Sequence, residues 1–382
     1  MISVIFYTLF GVLGILLIVL AYRLNFAYRH FRIKQFMSVT AMIENLPSVT
    51  VCIPARNETH AMTECLERVV DSAYPKLEII VLDDKSSDDT STLIKSFAHE
   101  GVRFVQGKPL PKEWLGKNFA LQEMAQEASG SILLFMDVDT RIEPDTIEQL
   151  VAYMMQEDAS MISVLPRRHD GWRQSVLFST LRYFWELILH RNSSPATASN
   201  AWMIRRNVLM DEYNGFENHR QAIQPESRFS KELMGKNKYR FLIGTEELGV
   251  SYEKKWRSQV STSIRLLYPL IGGRLSFALI GIVVMLVLLS PIMLVVQAIV
   301  GTWTIEAIVA ALFLIAYTIL FATYLRRVWS KAWWFGALLW PLIVAQEYLI
   351  LIVSIERYLR GVVTWKGRPV IARDALLSES KR

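Results

Sequence analysis

Cysteine is scarce. The 382-residue chain has two, Cys52 and Cys65, and they lack metal-ligand spacing. This argues against a disulfide framework or a zinc centre, and reads as two small buried hydrophobes. Charge is also thin, at 20% of residues against 52% hydrophobic, with a mean hydropathy of +0.25. Intrinsic disorder needs the opposite balance and is excluded. A wholly soluble domain is disfavoured, because an apolar excess on this scale collects in membrane spans. The length leaves room for one soluble domain of about 200–250 residues plus several spans. No glycine-rich phosphate loop occurs, so neither a P-loop nor a dinucleotide fingerprint is present. The net charge is +6, and no nucleic-acid partner is expected.

Long apolar runs are what the chain does have, the third with a single acid, Glu306, and the fourth with Glu347. Ile2–Tyr22 is nearly all apolar, with nothing basic before it and Arg23, Arg29, Arg32 and Lys34 after it. A signal peptide has the reverse flanks, so the run reads as an uncleaved anchor. The positive-inside rule then places the following domain in the cytoplasm. Three further runs follow: Leu275–Val300, Trp303–Tyr324 and Trp333–Ser354. Gly301-Thr302 between the first two carries no basic residue, whereas Arg326, Arg327 and Lys331 follow the second. The first loop is therefore expected outside and the second inside. A complete third crossing would export a tail that holds Arg357, Arg360, Lys366, Arg368 and Arg373. The central Trp340-Pro341 predicts a segment that dips in and returns, with a cytoplasmic tail.

Between the spans, strand and helix patterns alternate. Val49–Ile53, Glu78–Leu82 and Ser131–Met136 read as strands, each ending in polar residues. Thr63–Ser72, Thr92–Phe97, Lys117–Ala128 and a segment from Pro144 to Met155 read as helices, with Asp88 and Asp89 at an N-cap position. Alternating βα units imply a mainly parallel sheet covered on both faces, with ligands at the carboxyl ends of the strands. Arg56-Asn57-Glu58, Asp83-Asp84 and Asp137-Val138-Asp139 converge on that rim. Such carboxylates would repel an anionic nucleotide unless a divalent cation mediates. Asp-x-Asp at a strand end suits Mg2+ or Mn2+, which prefer oxygen ligands. A lone Asp-x-Asp is more often a solvated turn; three polar strand ends together reverse those odds.

The stretches Ile53-Pro54-Ala55-Arg56-Asn57-Glu58, Val81-Leu82-Asp83-Asp84-Lys85-Ser86-Ser87-Asp88-Asp89-Thr90 and Met136-Asp137-Val138-Asp139 resemble family 2 glycosyltransferases. The match keeps the family's order and spacing over about residues 48–265. Pro109-Leu110-Pro111 with Trp114-Leu115-Gly116-Lys117 resembles the membrane-bound branch that acts on polyisoprenoid-derived lipids. The tail from Tyr358 through Gly361-Val362-Val363 to Trp365-Lys366-Gly367-Arg368 is similar to bacterial carotenoid-acid glucosyltransferases, with hopanoid-associated enzymes nearby.

The resemblance implies a GT-A fold: a Rossmann-like, mixed, mainly parallel α/β sheet with helices on both faces, here with transmembrane helices at both ends. It implies a UDP-sugar donor along Pro54, Arg56, Glu58, Asp84, Lys117 and Asp137. Glu58 would face the ribose, Asp84 the uracil, Asp137 the sugar and ribose, and Lys117 the phosphates. Asp139, with Asp137, would hold the metal. Asp83 reads as structural. For the general base the family uses a Glu-Asp pair opening a helix. Here Glu226 falls on the Asp position and Pro225 replaces the Glu. Glu226 is thus the candidate base, or else a helix-start charge, with His219 and Glu217 weaker choices. The Gln-x-x-Arg-Trp motif of processive synthases is absent, which favours one transfer per acceptor.

Trp172–His190 interleaves aromatics with Arg173, Arg182 and His190. It reads either as a helix packed on the sheet or as an interfacial helix at headgroup level. Arg257, Arg265, Tyr268 and Pro269 suggest a second interfacial element. The expected layout is an anchor at 1–22, a basic linker at 23–47 and a cytoplasmic catalytic domain at 48–257. An interfacial segment at 258–274, a three-segment membrane region at 275–354 and a basic tail at 355–382 follow. The expected protein sits in the bacterial inner membrane and moves a hexose, from UDP-glucose, onto a lipid acceptor such as a carotenoid acid. A hopanoid, sphingoid or polyprenyl-phosphate lipid is the alternative acceptor. A non-catalytic scaffold with a degenerate domain is the alternative of another class.

Overall fold

The computed structural model describes residues 2–33, 46–169, 179–301, 304–329, 331–365 and 368–369. Lys34, Trp172, Arg173, Lys366 and Arg373, all used in the sequence reading, lie outside the described residues. The chain divides into two units.

One unit is drawn from Phe31–Arg167, His190–Glu253 and Trp365–Arg382. It is built on a seven-stranded sheet: β1 (Val49–Ala55), β2 (Leu77–Asp83), β3 (Val102–Gln106), β4 (Ile132–Met136), β5 (Met161–Leu165), β6 (Ala201–Arg205) and β7 (Tyr239–Ile243), in the order β3-β2-β1-β4-β6-β5-β7. β1, β2, β3 and β4 run parallel, and so do β5 and β7. β6 is antiparallel to both of its neighbours. β4 (ILLFM) is buried at every position, as a strand covered on both faces demands. Helices Thr59–Val70 and Thr146–Gln156 bury Met62, Leu66, Val69, Ile147 and Leu150 in the same core as β1 and β4. Cys52 and Cys65 are buried and free. Burial raises both thiols, Cys65 to about 12, so both are inert at neutral pH.

Parallel register places the chemistry. Ala55 pairs with Asp83, and the Asp84 amide donates to the Ala55 carbonyl at 2.8 Å. Val49 to Cys52 pair with Ile132 to Phe135. The carboxyl ends of β1, β2 and β4 therefore open side by side, and the loops that follow carry Glu58, Asp84 and Asp137.

The other unit is drawn from Met1–His30, Arg168–Leu189 and Lys254–Thr364. Among the described residues, three of its helices are long and apolar enough to cross a membrane: Val4–His30, Leu275–Val300 and Ile305–Val328. The first continues past Tyr22, because Arg23 and Arg29 end the apolar run without ending the helix. Trp333–Ser354 is interrupted: one helix runs Trp333–Leu338 and the next Trp340–Arg360, with Pro341 in its first turn. Trp340 stacks on Phe321 and donates its indole N–H to Thr318 Oγ1 at 3.0 Å, which fixes the break. Within the Trp172–His190 region, helix Arg182–Leu189 is buried in this helical unit, where Phe184 packs on Phe321 and Tyr324. Helix Trp256–Leu270 turns Gln259, Ser263, Leu266 and Leu267 inward and leaves Arg257, Ser258 and Ser261 exposed.

Candidate active site

The loops after β1 and β2 are knitted together. Arg56 Nη1 donates to the Asp84 carbonyl at 2.6 Å and lies 3.9 Å from Asp84 Oδ2. The Asn57 amide donates to Ser86 Oγ at 2.9 Å, and Asn57 Oδ1 accepts from the Ser87 amide at 2.8 Å. The Glu58 amide donates to Thr90 Oγ1 at 2.8 Å. Asn57 and Lys85 both take positive φ, 54° and 55°, a backbone state that side chains disfavour and functional loops often hold. Asp83 is buried and accepts from the hydroxyls of Ser86 and Ser91, a structural post. Pro54 is part of β1, paired with Leu82.

A tight turn follows β4. The Thr140 amide donates to the Asp137 carbonyl at 2.9 Å, and the Asp137 amide and Thr140 hydroxyl both donate to the Asn200 carbonyl, at 2.9 and 3.0 Å. The two carboxylates keep different company. Asp137 Oδ1 accepts from Lys117 Nζ at 2.7 Å, both side chains about one-fifth exposed. Asp139 lies with Glu58 and His60, their ligand-type atoms all within 4.8 Å of one another. Two carboxylates and one imidazole on this scale fit a divalent cation. The oxygen-rich set with one nitrogen suits Mn2+ at least as well as Mg2+. His60 was not singled out from the sequence. Its only signal was its place two residues beyond Glu58, at the start of a helix.

The third wall begins at Lys117, in the first turn of helix Gly116–Glu127. The next residue, Asn118, is buried, and its Nδ2 faces the carbonyls of His219, Arg220 and Ala222 at 3.0, 3.1 and 2.8 Å. One turn on, Gln122 Oε1 accepts from the Phe216 amide at 2.7 Å. Gly215, at φ +65°, leaves room for that amide group: a Cβ there would sit 2.2 Å from Gln122 Oε1. This face of the helix holds the loop that leads into helix Pro225–Gly235. Glu226 lies in the first turn of that helix and is only 1% exposed. Phe229 beside it packs with Trp202, Phe216 and the His219 ring. Burial pulls the His219 imidazole below its usual range, against Glu232 and with help from Arg228.

The structure thus joins Arg56 with Asp84, Asp139 with Glu58, and Asp137 with Lys117. Glu226 lies on a separate helix, and Asn118, next to Lys117, holds the loop that leads into it. Parallel strands ending in a carboxylate rim, with an Asp-x-Asp turn after β4, are the frame of a GT-A sheet. A mannosyltransferase from Pyrobaculum calidifontis, solved with GDP-Man and Mn2+, is similar in fold: TM-score 0.55 and 17% identity, covering 94% of this chain and 99% of that one. Residues 50–211 match the family described as Glycosyl transferase family 2.

Its relatives agree on the class. The chain is 34% identical to the probable glycosyltransferase YdaM of Bacillus subtilis over 120 residues, 30% of this chain and 28% of that protein. It is 30% identical to 4,4'-diaponeurosporenoate glycosyltransferase of Staphylococcus aureus over 124 residues, 32% of each chain. It is 25% identical to undecaprenyl-phosphate 4-deoxy-4-formamido-L-arabinose transferase of Pectobacterium carotovorum over 167 residues, 43% of this chain and 50% of that one. The chain therefore spans half or less of the length of these relatives.

Proposed function

We propose that this chain is an inverting glycosyltransferase that moves a hexose, glucose from UDP-glucose, onto the acidic end of a membrane lipid. The observation that carries the reading is the rim itself. Glu58, His60 and Asp139 cluster within 4.8 Å, with Asp137 of the same Asp-x-Asp turn paired to Lys117, in a chain with three span-length apolar helices among its described residues. A nucleotide diphosphate needs cationic company at a carboxylate rim. Lys117 supplies one charge, and a divalent ion held by Asp139, Glu58 and His60 would offset the charge developing on the departing diphosphate.

In the transfer, an acceptor oxygen attacks the anomeric carbon while the carbon–oxygen bond to UDP breaks, and UDP leaves with the electron pair. A carboxylate or phosphate acceptor is already ionised near neutral pH, so no proton has to be removed. That suits a chain whose candidate base, Glu226, is almost wholly buried and preceded by Pro225 in place of an acid. It also suits the acceptors named for two relatives, a carotenoid acid and a polyprenyl phosphate. Among acids we favour the carboxylate. The basic flank Arg23, Arg29 and Arg32 orients the sheet domain to the cytoplasm, where nucleotide sugars are available.

The test is transfer from radiolabelled UDP-glucose, with Mn2+, to a long-chain carotenoid acid and to a polyprenyl phosphate, using the purified full chain in lipid. Labelled glycosyl ester that resists chasing with free glucose supports the reading. Label on the phosphate instead moves the acceptor to the alternative class. No transfer and no donor hydrolysis with either acceptor would leave a non-catalytic scaffold as the better account.

A further inference from the structure

Arg141 follows the Asp-x-Asp turn directly, and its side chain is only 7% exposed. Its Nη1 donates to two carbonyls of that turn, Val138 at 2.7 Å and Thr140 at 2.9 Å. Its Nη2 reaches helix Thr59–Val70, donating to Glu64 Oε2 at 3.0 Å, with the Ala61 carbonyl at 3.5 Å. The turn carries Asp139, and the helix carries His60 in its first turn directly after Glu58. One guanidinium therefore joins the two pieces of backbone that bring Glu58, His60 and Asp139 together. Strand pairing of Arg141 with Ser251 and of Thr140 with Tyr252 fixes the root of the turn from the other side.

We infer that Arg141 is a positioning residue for the divalent-cation site: it sets the separation between Asp139 and the Glu58–His60 pair by bridging the Asp-x-Asp turn to helix Thr59–Val70. The inference rests on the proposed function, because it concerns the site assigned there. A planar guanidinium is what the task needs. Its donors diverge in a fixed fork and reach two elements at once, whereas a lysine ammonium carries the same charge on a flexible stem and cannot hold both. Loss of a group behind metal ligands commonly costs about 10–100-fold in metal affinity, because such groups decide whether the ligands converge.

The test uses the purified full chain and Mn2+ alone as probe, read by the loss of the free Mn2+ EPR signal on titration, with melting temperature measured in the absence of metal. Arg141→Lys should weaken Mn2+ binding about 10-fold or more, the usual scale for groups behind metal ligands. Glu64→Gln changes a half-exposed partner and should fold in any case. It should weaken Mn2+ binding by about 3-fold, in keeping with an exposed pair. At saturating Mn2+, sugar transfer by both variants should recover most of its rate, which a general loosening of the fold would not allow. Unchanged Mn2+ affinity in both variants, with the wild-type chain binding the ion, overturns the inference while leaving the proposed function standing. A wild-type chain that binds no Mn2+, with or without UDP, overturns both. Equal losses of melting temperature without a change in Mn2+ affinity make Arg141 a structural residue only.

Discussion

At the scale of single residues, the two acids of the turn divide the labour. Asp137 holds the Lys117 ammonium, and Asp139 faces Glu58 and His60. Asp139→Asn keeps the shape of the turn and removes a charged ligand. Transfer should fall by at least about 100-fold, the scale of losing one strong electrostatic stabiliser, and UDP binding should lose its dependence on Mn2+. His60→Gln separates the two ligand sets. If the imidazole ligates, Mn2+ affinity falls about 10-fold; if Asp137 and Asp139 alone hold the ion, affinity stays as it was. Near-normal turnover in Asp139→Asn would remove the metal assignment. Glu226 tests mechanism. With a hydroxyl acceptor, Glu226→Gln should lower kcat by about 10²–10⁴-fold with UDP binding intact, the usual worth of a positioned base. With a carboxylate acceptor the loss should be far smaller, and the acid limb of the kcat–pH profile should be the same in both proteins. The sequence exposed Asp139, Asp137 and Lys117 because their motif spacing is local. His60, Arg141 and Asn118 escaped it, because each acts through a partner from another element that only folding brings near.

At the scale of elements, the loops after β1 and β2 are locked by Asp88, which joins the starts of two helices. Its Oδ2 accepts from Thr59 Oγ1 at 2.6 Å and its Oδ1 from Thr90 Oγ1 at 2.6 Å. Burial raises its pKa, but the hydrogen bonds from Thr59 and Thr90 outweigh that and bring it from 3.8 down to about 2. A carboxyl depressed on folding stabilises the fold above its unfolded pKa and loses that contribution as pH falls through its folded value. Asp88→Asn should therefore melt below the wild type at pH 5, and the gap should close between about pH 4 and pH 2. Asp88 is exposed, so the gap is small and shrinks with salt. A gap that stays constant down to pH 2 would show that the charge of Asp88 contributes nothing. β1, β2 and β4 and the helices among them were legible because each is a buried run punctuated by polar ends. β6 was not: Ala201–Arg205 is a short run, buried at its first four positions, without Gly or Pro at its ends, and its partners lie far off in sequence. The break near Pro341 was legible, since proline limits where a helix can run.

At the scale of the whole molecule, the open question is which side of the membrane the basic tail occupies. The helical unit contains an argument that charge counting lacks. Helix Trp340–Arg360 runs beside helix Trp256–Leu270 in one direction: Trp256 Nε1 donates to Gln346 Oε1 at 2.9 Å, Ser354 Oγ to the Ile264 carbonyl at 2.6 Å, and Tyr358 OH to the Arg265 carbonyl at 2.6 Å. Helix Trp256–Leu270 precedes the span-length helix Leu275–Val300 and keeps Arg257, Ser258 and Ser261 exposed, a composition that does not belong in a hydrocarbon core. If it lies on the cytoplasmic side, residues 346–358 lie there with it. The short helix Trp333–Leu338 has six residues, about 9 Å of rise, and cannot cross alone. The tail should then be cytoplasmic. Single-cysteine variants read this directly, and the buried native Cys52 and Cys65 give little background. In intact cells, an impermeant maleimide should label Gly301→Cys, between the two spans, and should spare Asn57→Cys and Arg373→Cys until the membrane is opened. Labelling of Arg373→Cys from outside would make 333–360 a complete crossing, and would put the helix pair through the bilayer rather than along its cytoplasmic face.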